Sequence, residues 1–81
     1  MRILFTSRFI RSYNKAPSNI QKAFDKQSLL LLQDLRHPSR RAKKYDERQD
    51  KWQARVTGSW RFYFQIIEDA YLMLDIIPHP K

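Results

Sequence analysis

The stretch that decides the fold is WQARVTGSWRFYF, residues 52–64. Two runs of aromatic and β-branched residues flank Gly58, the single glycine of the chain. In each run apolar residues alternate with polar ones, a pattern typical of a β-strand with one buried face. The stretch therefore predicts a β-hairpin, and it leaves two arginines, Arg55 and Arg61, within strands that carry the core aromatics.

The register of this hairpin follows from which side chains must share the buried face. The apolar sets of the two runs can face the same side only if the loop has an odd number of residues. A three-residue loop around Thr57 and Gly58, with the glycine in a left-handed conformation, meets this condition. Arg55 is then predicted to lie opposite or diagonal to Arg61, on the face away from the core.

The other elements predict an α+β domain. RILF (2–5) indicates a short strand, Thr6 or Ser7 is a suitable cap for a first helix, and Pro17 opens a second helix to about Leu35. Three consecutive strands are then predicted over residues 51–56, 60–67 and 70–77. We expect one domain spanning residues 1–81, with order β-α-α-β-β-β and both helices packed on one face of a mostly antiparallel twisted sheet.

The last strand is predicted to complete a charged face. A loop with an odd number of residues, through 68–69, assigns Tyr71, Met73 and Asp75 to the face away from the core. It assigns Leu72, Leu74 and Ile76 to the core face. Asp75 would then lie beside Arg61 or Tyr63. If the alternation continues past Pro78, His79 joins the same face near the Gly58 turn.

The predicted arginine pair indicates an anion site. Two unit charges of like sign repel by about 1 kcal/mol at 4 Å in water. An anion between Arg55 and Arg61 removes this repulsion, and phosphate matches the guanidinium fork. Two alternatives stay open: a salt bridge from Arg61 to Asp75, and an exposed Arg55 with no ligand.

Composition limits the classes of function. The chain has 81 residues and a net charge of +8, from 16 Lys and Arg against 8 Asp and Glu, which favours nucleic acid or an acidic protein segment as partner. It has no cysteine and its two histidines are far apart, so neither a disulfide scaffold nor a metal site is expected. We predict no cofactor. No apolar run could span a bilayer, so a cytoplasmic protein without membrane contact is expected.

Three segments resemble the RelE/ParE toxin superfamily: MRILFTSRFIRSYNKAPSNIQKAF, LRHPSRRAKKY and WQARVTGSWRFYFQIIEDAYLMLDIIPHPK. More narrowly, they are similar to the short RelE-like mRNA interferases of type II toxin–antitoxin systems. The most specific pieces are W-x-A-R-V, W-R-F-Y-F and D-I-I-P-H. The resemblance implies a curved antiparallel sheet with two helices on one face. It also implies an endoribonuclease that cuts mRNA in the ribosomal A site without metal, inhibits translation, and is neutralised by a cognate antitoxin in a hetero-oligomer.

The resemblance also implies roles for individual residues. In such enzymes the ribose 2′-hydroxyl attacks the adjacent phosphate, which requires phosphate neutralisation, a base and an acid. Arg61 matches the arginine that contacts the scissile phosphate, Arg55 matches a basic position of the same site, and His79 matches a catalytic position near the C-terminus. The general base stays open, because Glu47 does not align with the glutamate that serves as base in some relatives.

A basic stretch is the matching candidate for RNA or phosphate contact. It comprises Lys43 and Lys44, together with Arg40 and Arg41; Arg40 stands where leucine is usual in the family. Two apolar residues, Leu29 and Leu32, fall off the core-facing side of the second helix. They would either pack against the preceding helix or be covered by a partner such as the antitoxin.

A second function is compatible with the same fold. A ParE-like toxin would inhibit DNA gyrase by binding it, without nuclease chemistry, and the fold does not decide between the two functions. The predicted cluster of Arg55, Arg61 and His79 favours the nuclease.

Overall fold

In the computed structural model, which describes residues 2–33 and 42–79, two helices lie against a five-stranded sheet. The elements in chain order are β1 (Arg2–Phe5), α1 (Ser7–Lys15), α2 (Ser18–Gln33), β2 (Ala42–Asp46), β3 (Lys51–Arg55), β4 (Trp60–Ile67) and β5 (Ala70–Pro78). The strand order in the sheet is β1-β5-β4-β3-β2. Only β1 and β5 pair in parallel, so the predicted α+β class and mostly antiparallel sheet are confirmed.

One strand was not predicted. Residues 42–46, AKKYD, lie outside the predicted strands, but they pair antiparallel with β3 at the edge of the sheet as β2. Their sequence has no apolar alternation, and only Ala42 is buried, opposite Ala54. A charged edge strand of this kind lacks the period-2 signal on which the prediction depended, although lysines are common on edge strands.

The β3–β4 hairpin has the predicted register. Arg55 lies directly opposite Arg61, and Trp52 lies opposite Phe64. The Val56 amide donates to the Trp60 carbonyl at 3.0 Å, which leaves three residues in the loop. The prediction for Gly58 was wrong: its φ is not positive, and nothing lies within 4 Å of a Cβ added there.

The predicted faces of β5 were wrong over its first half. The turn at 68–69 has two residues, with Ile67 opposite Ala70, so Tyr71 and Met73 face the core at 1% and 0% exposure. Leu72 and Leu74 are only partly buried. A register shift follows, because Phe64 pairs with Met73 but Tyr63 pairs with Asp75. This bulge re-aims the strand, so that Asp75 and Ile76 lie on the predicted faces.

The helices begin where their caps predict. Thr6 is the N-cap of α1, since its Oγ1 accepts from the Phe9 amide at 3.1 Å, and α2 begins directly after Pro17. The predicted end of α2 near Leu35 lies outside the described residues. Both helices cover the face of the sheet that carries Phe62, whose ring centroid is 5.1 Å from that of Phe24.

The two off-face leucines of α2 differ in environment. Leu32 is partly buried and packs against the core cluster, whereas Leu29 is 58% exposed. Contact with the rest of the fold therefore accounts for Leu32 but not for Leu29. Neither described helix is long and apolar enough to cross a membrane.

Candidate functional site

The face of the sheet opposite the helices, called the open face here, carries the predicted arginine pair. Successive strand residues alternate between faces, so Arg55 and Arg61 lie away from the buried Ala54 and Phe62. Their Cα atoms are cross-strand partners next to the 57–59 loop. Within residues 2–33 and 42–79, neither arginine forms a salt bridge.

The Arg61 guanidinium is held in place by the loop that it follows. Its Nη1 donates to the carbonyl oxygens of Thr57 at 2.7 Å and Trp60 at 3.0 Å, with a longer contact of 3.4 Å to Gly58. These bonds use only one of the three guanidinium nitrogens. Its Nε and Nη2 bond to none of the described residues and are the donors that an anion could use.

His79 reaches the same end of the sheet through its backbone. Its amide donates to the Ser59 carbonyl at 2.6 Å, which extends the β4–β5 pairing one residue beyond Trp60 and Pro78. Ile77 lies opposite Arg61, and strand alternation assigns His79 to the same face as Ile77. The structure therefore places the backbone of the exposed His79 beside the hairpin loop, at the same end of the sheet as Arg55 and Arg61.

Asp75 does not neutralise Arg61. Its Oδ2 lies 3.2 Å from Nε of Arg8, and its Oδ1 accepts from the Ile76 amide at 2.9 Å. The alternative in which Arg61 forms a salt bridge with Asp75 is therefore not realised among the described residues. The α1 arginine that takes its place was not singled out from the sequence, because the contact joins elements 67 positions apart.

The two basic candidates in β2, Lys43 and Lys44, lie in different environments. Lys43 is exposed and lies opposite Gln53, on the open face. Lys44 lies opposite Trp52, with its Nζ 5.6 Å from the centroid of that ring and 2.7 Å from Oδ1 of Asp50. The hydrogen bond to Asp50 raises the pKa of Lys44, so the charge of Lys44 is paired with a carboxylate of the same chain. Arg40 and Arg41 lie outside the described residues.

Tyr63 extends the open face beyond the arginines. It lies opposite Asp75, and its ring centroid is 5.3 Å from that of Tyr45 in an edge-to-face arrangement. Burial raises the pKa of the Tyr63 phenol, and nearby Tyr45 adds to the shift. The phenol is therefore a protonated hydrogen-bond donor at neutral pH. Within the described ranges, no three His, Asp or Glu side chains form a possible metal site.

Several solved structures have a similar fold. A chain of the toxin–antitoxin complex RelBE2 from Mycobacterium tuberculosis is similar at 23% identity, with a TM-score of 0.75 over 96% of each chain. The isolated RelE toxin of E. coli is similar at 13% identity and a TM-score of 0.76, over 98% of this chain and 84% of that one. A YoeB/ParE toxin from Agrobacterium tumefaciens is similar at 10% identity and a TM-score of 0.74, over 99% and 100%.

These similarities establish the fold. No protein-family model and no curated protein matches the chain. The chain has the RelE-like α+β fold, and the resemblance to the RelE/ParE superfamily is confirmed at that level. Since one fold can serve different functions, the function must be argued from the open face.

Proposed function

We propose that this protein is the toxin of a type II toxin–antitoxin module and a metal-independent endoribonuclease that cuts mRNA in the ribosomal A site. The observation that carries the proposal is the pairing of Arg55 with Arg61 beside His79. Two guanidinium groups without carboxylate partners among the described residues form a strong phosphate-binding pair. Lys43 adds a further exposed positive charge on the same face.

The chemistry requires stabilisation of charge on the reacting phosphate. When the ribose 2′-hydroxyl attacks, the phosphate gains negative charge before it releases the 5′-oxygen and forms a 2′,3′-cyclic phosphate. Arg61 stabilises that charge with its free Nε and Nη2, because loop carbonyls hold Nη1 and pre-orient the group. Arg55 binds the phosphate from the facing strand.

Proton transfer is assigned to His79. An imidazole exchanges protons near neutral pH, so it can protonate the leaving 5′-oxygen. Tyr63 is suited to donate a hydrogen bond rather than to act as base, because its raised pKa keeps it protonated. Asp75 is held by Arg8 and the Ile76 amide, so the base that accepts the 2′-hydroxyl proton is a group other than Asp75.

A cognate antitoxin is the second partner in this proposal. Several of the similar structures are toxin–antitoxin complexes. Our protein carries an apolar patch on its helix side, where Phe5 and Ile10 are each 49% exposed and flank a cleft of about 270 Å³. A patch of this kind, on a chain of net charge +8, fits an acidic amphipathic segment.

The proposal is tested in a translation extract with a reporter mRNA whose new ends are mapped. The wild type is expected to produce ribosome-positioned cuts that carry 2′,3′-cyclic phosphate ends. Arg61→Ala and His79→Ala should each slow cutting about 10²–10³-fold, the range for loss of one such group. Arg11→Ala, which removes an exposed arginine of α1, is the matched control and should cut at the wild-type rate.

Two results would overturn the nuclease assignment. The first is equal cutting by Arg61→Ala and the wild type. The second is intact mRNA at toxin levels that stop growth, together with stalled DNA gyrase, which would assign the protein to gyrase-directed toxins.

A further inference from the structure

A groove lies beside the arginine pair on the open face. Its volume is about 520 Å³, and it lies between the start of α1 and the turn that joins β2 to β3. Ile77, the cross-strand partner of Arg61, forms part of its wall, as does Tyr63. The groove is therefore a neighbour of the arginine pair on one continuous surface.

Two tyrosines form the aromatic part of this groove. Tyr45 is 60% exposed and meets Tyr63 edge to face at 5.3 Å between ring centroids. The contact with Tyr63 fixes one edge of the Tyr45 ring and leaves most of the ring in solvent. An exposed aromatic ring beside phosphate-binding arginines is the arrangement by which proteins stack an unpaired base.

Polar groups along β4 add a donor and an acceptor. Gln65 Nε2 donates to the Gln49 carbonyl oxygen at 2.7 Å. A carbonyl can accept only from the NH₂ of the amide, so this bond fixes the amide orientation and leaves Gln65 Oε1 as an acceptor. Tyr63, protonated at neutral pH, supplies the donor. The edges of the four nucleobases differ in the positions of their donors and acceptors, so this pair can discriminate among bases.

Charge and spacing also suit a nucleotide. Lys51 lies opposite Gln65 on the groove wall, and the negative charge of Asp75 is compensated by Arg8 at 3.2 Å. Tyr63 is two strand residues from Arg61, a separation of about 7 Å. That separation is on the scale of one nucleotide, so a base in the groove and a phosphate at the arginines could belong to neighbouring nucleotides.

We propose that this groove is a nucleobase subsite, which holds an unpaired base next to the cleaved phosphate. Tyr45 stacks on the base, while Tyr63 and Gln65 contact its edge. The inference rests on the proposed RNA substrate and extends it, because it assigns the residues that determine base preference.

The test measures binding separately from cleavage. The probes are short single-stranded RNAs with 2′-O-methyl riboses, which cannot react by 2′-hydroxyl attack, and binding is followed by fluorescence anisotropy at one salt concentration. Tyr45→Ala should bind about 5- to 150-fold more weakly, the range for loss of one base-stacking ring. Tyr45→Phe keeps the ring and should bind like the wild type. Ile67→Ala, which removes a 45% exposed apolar side chain at the end of β4 away from the arginine pair, is the control and should bind like the wild type.

Base preference is the second readout. Among probes that differ at one nucleotide, Gln65→Ala should flatten the preference of the wild type while changing the mean affinity less than Tyr45→Ala does. Equal affinity and equal preference in Tyr45→Ala and the wild type would overturn the subsite, whatever the outcome of the Arg61→Ala cleavage assay. Binding of an acidic peptide, and not of RNA, that depends on Tyr45 would also overturn it. Tyr45-dependent RNA binding without any cleavage would support the subsite and count against the nuclease alone.

Discussion

The two faces of the β3–β4 hairpin have opposite character, although they are made by alternate residues of the same strands. On the helix side Phe62 and Phe64 are 1% and 0% exposed. On the open side Arg55 is exposed, and among the described residues Arg61 bonds only to backbone carbonyls of residues 57–60. Strand alternation thus separates stability from function: a change on one face should alter the free energy of unfolding, and a change on the other should alter activity.

The largest effect is expected from Phe64→Ala. Phe64 packs against Trp52, Phe62 and Tyr71 at ring-centroid distances of 5.4–6.2 Å. Its removal leaves a cavity in the centre of the core and should lower the free energy of unfolding by about 3–5 kcal/mol. Urea denaturation followed by tryptophan fluorescence measures this loss.

Gln53→Ala is the control for that comparison, because Gln53 lies on the open face of the neighbouring strand. It should change the free energy of unfolding by no more than about 0.5 kcal/mol. A loss as large as that of Phe64→Ala would mean that the open face also stabilises the fold, which contradicts the proposed separation.

Arg61→Lys should give the next largest effect, on activity and not on folding. Lysine keeps the charge but loses the two free guanidinium donors, so we expect mRNA cleavage to slow by about 10- to 100-fold. The rate is read from the mapped mRNA ends, and the midpoint of urea denaturation is measured alongside it. Arg11→Lys on α1 makes the same chemical change and should cut at the wild-type rate. If Arg61→Lys lowered the denaturation midpoint as much as Phe64→Ala does, the assignment of Arg61 to activity would be contradicted.

Thr6→Ala tests the contact between the start of α1 and β5. Thr6 caps α1 through the Phe9 amide, and its Oγ1 donates to the Met73 carbonyl at 2.9 Å. Loss of both bonds should lower the free energy of unfolding by about 1–2 kcal/mol. Ser7→Ala removes the alternative cap predicted from the sequence and should be close to neutral in the same urea titration.

Gly58→Ala should give the smallest effect, and its sign is informative. Because φ of Gly58 is not positive and a Cβ meets nothing within 4 Å, alanine fits the folded loop. It should raise the free energy of unfolding by about 0.4–1 kcal/mol, by restricting the unfolded chain. A marked loss of stability would restore the left-handed glycine that the sequence predicts.

The hairpin and its arginine pair were predictable because alternation in residues 52–64 is nearly unbroken. The β5 register was not, since residues 70–77 are apolar apart from Asp75, and such a run gives no signal for a two-residue turn followed by a bulge. The β2 strand was not predicted because its exposed lysines leave no alternation of apolar and polar residues. The Arg8–Asp75 contact and the Tyr45–Tyr63 groove join distant segments, and short-range patterns carry no information about them.

The parallel pairing of β1 with β5 has a consequence for synthesis of the protein. Thr6 and Leu74, which lie 3.3 Å apart at the end of this pairing, are separated by 68 residues. The sheet therefore cannot close until β5 has left the ribosome, and such long-range pairing is slow to form. The β3–β4 and β4–β5 hairpins, whose pairings are local, can therefore form before β1 joins β5.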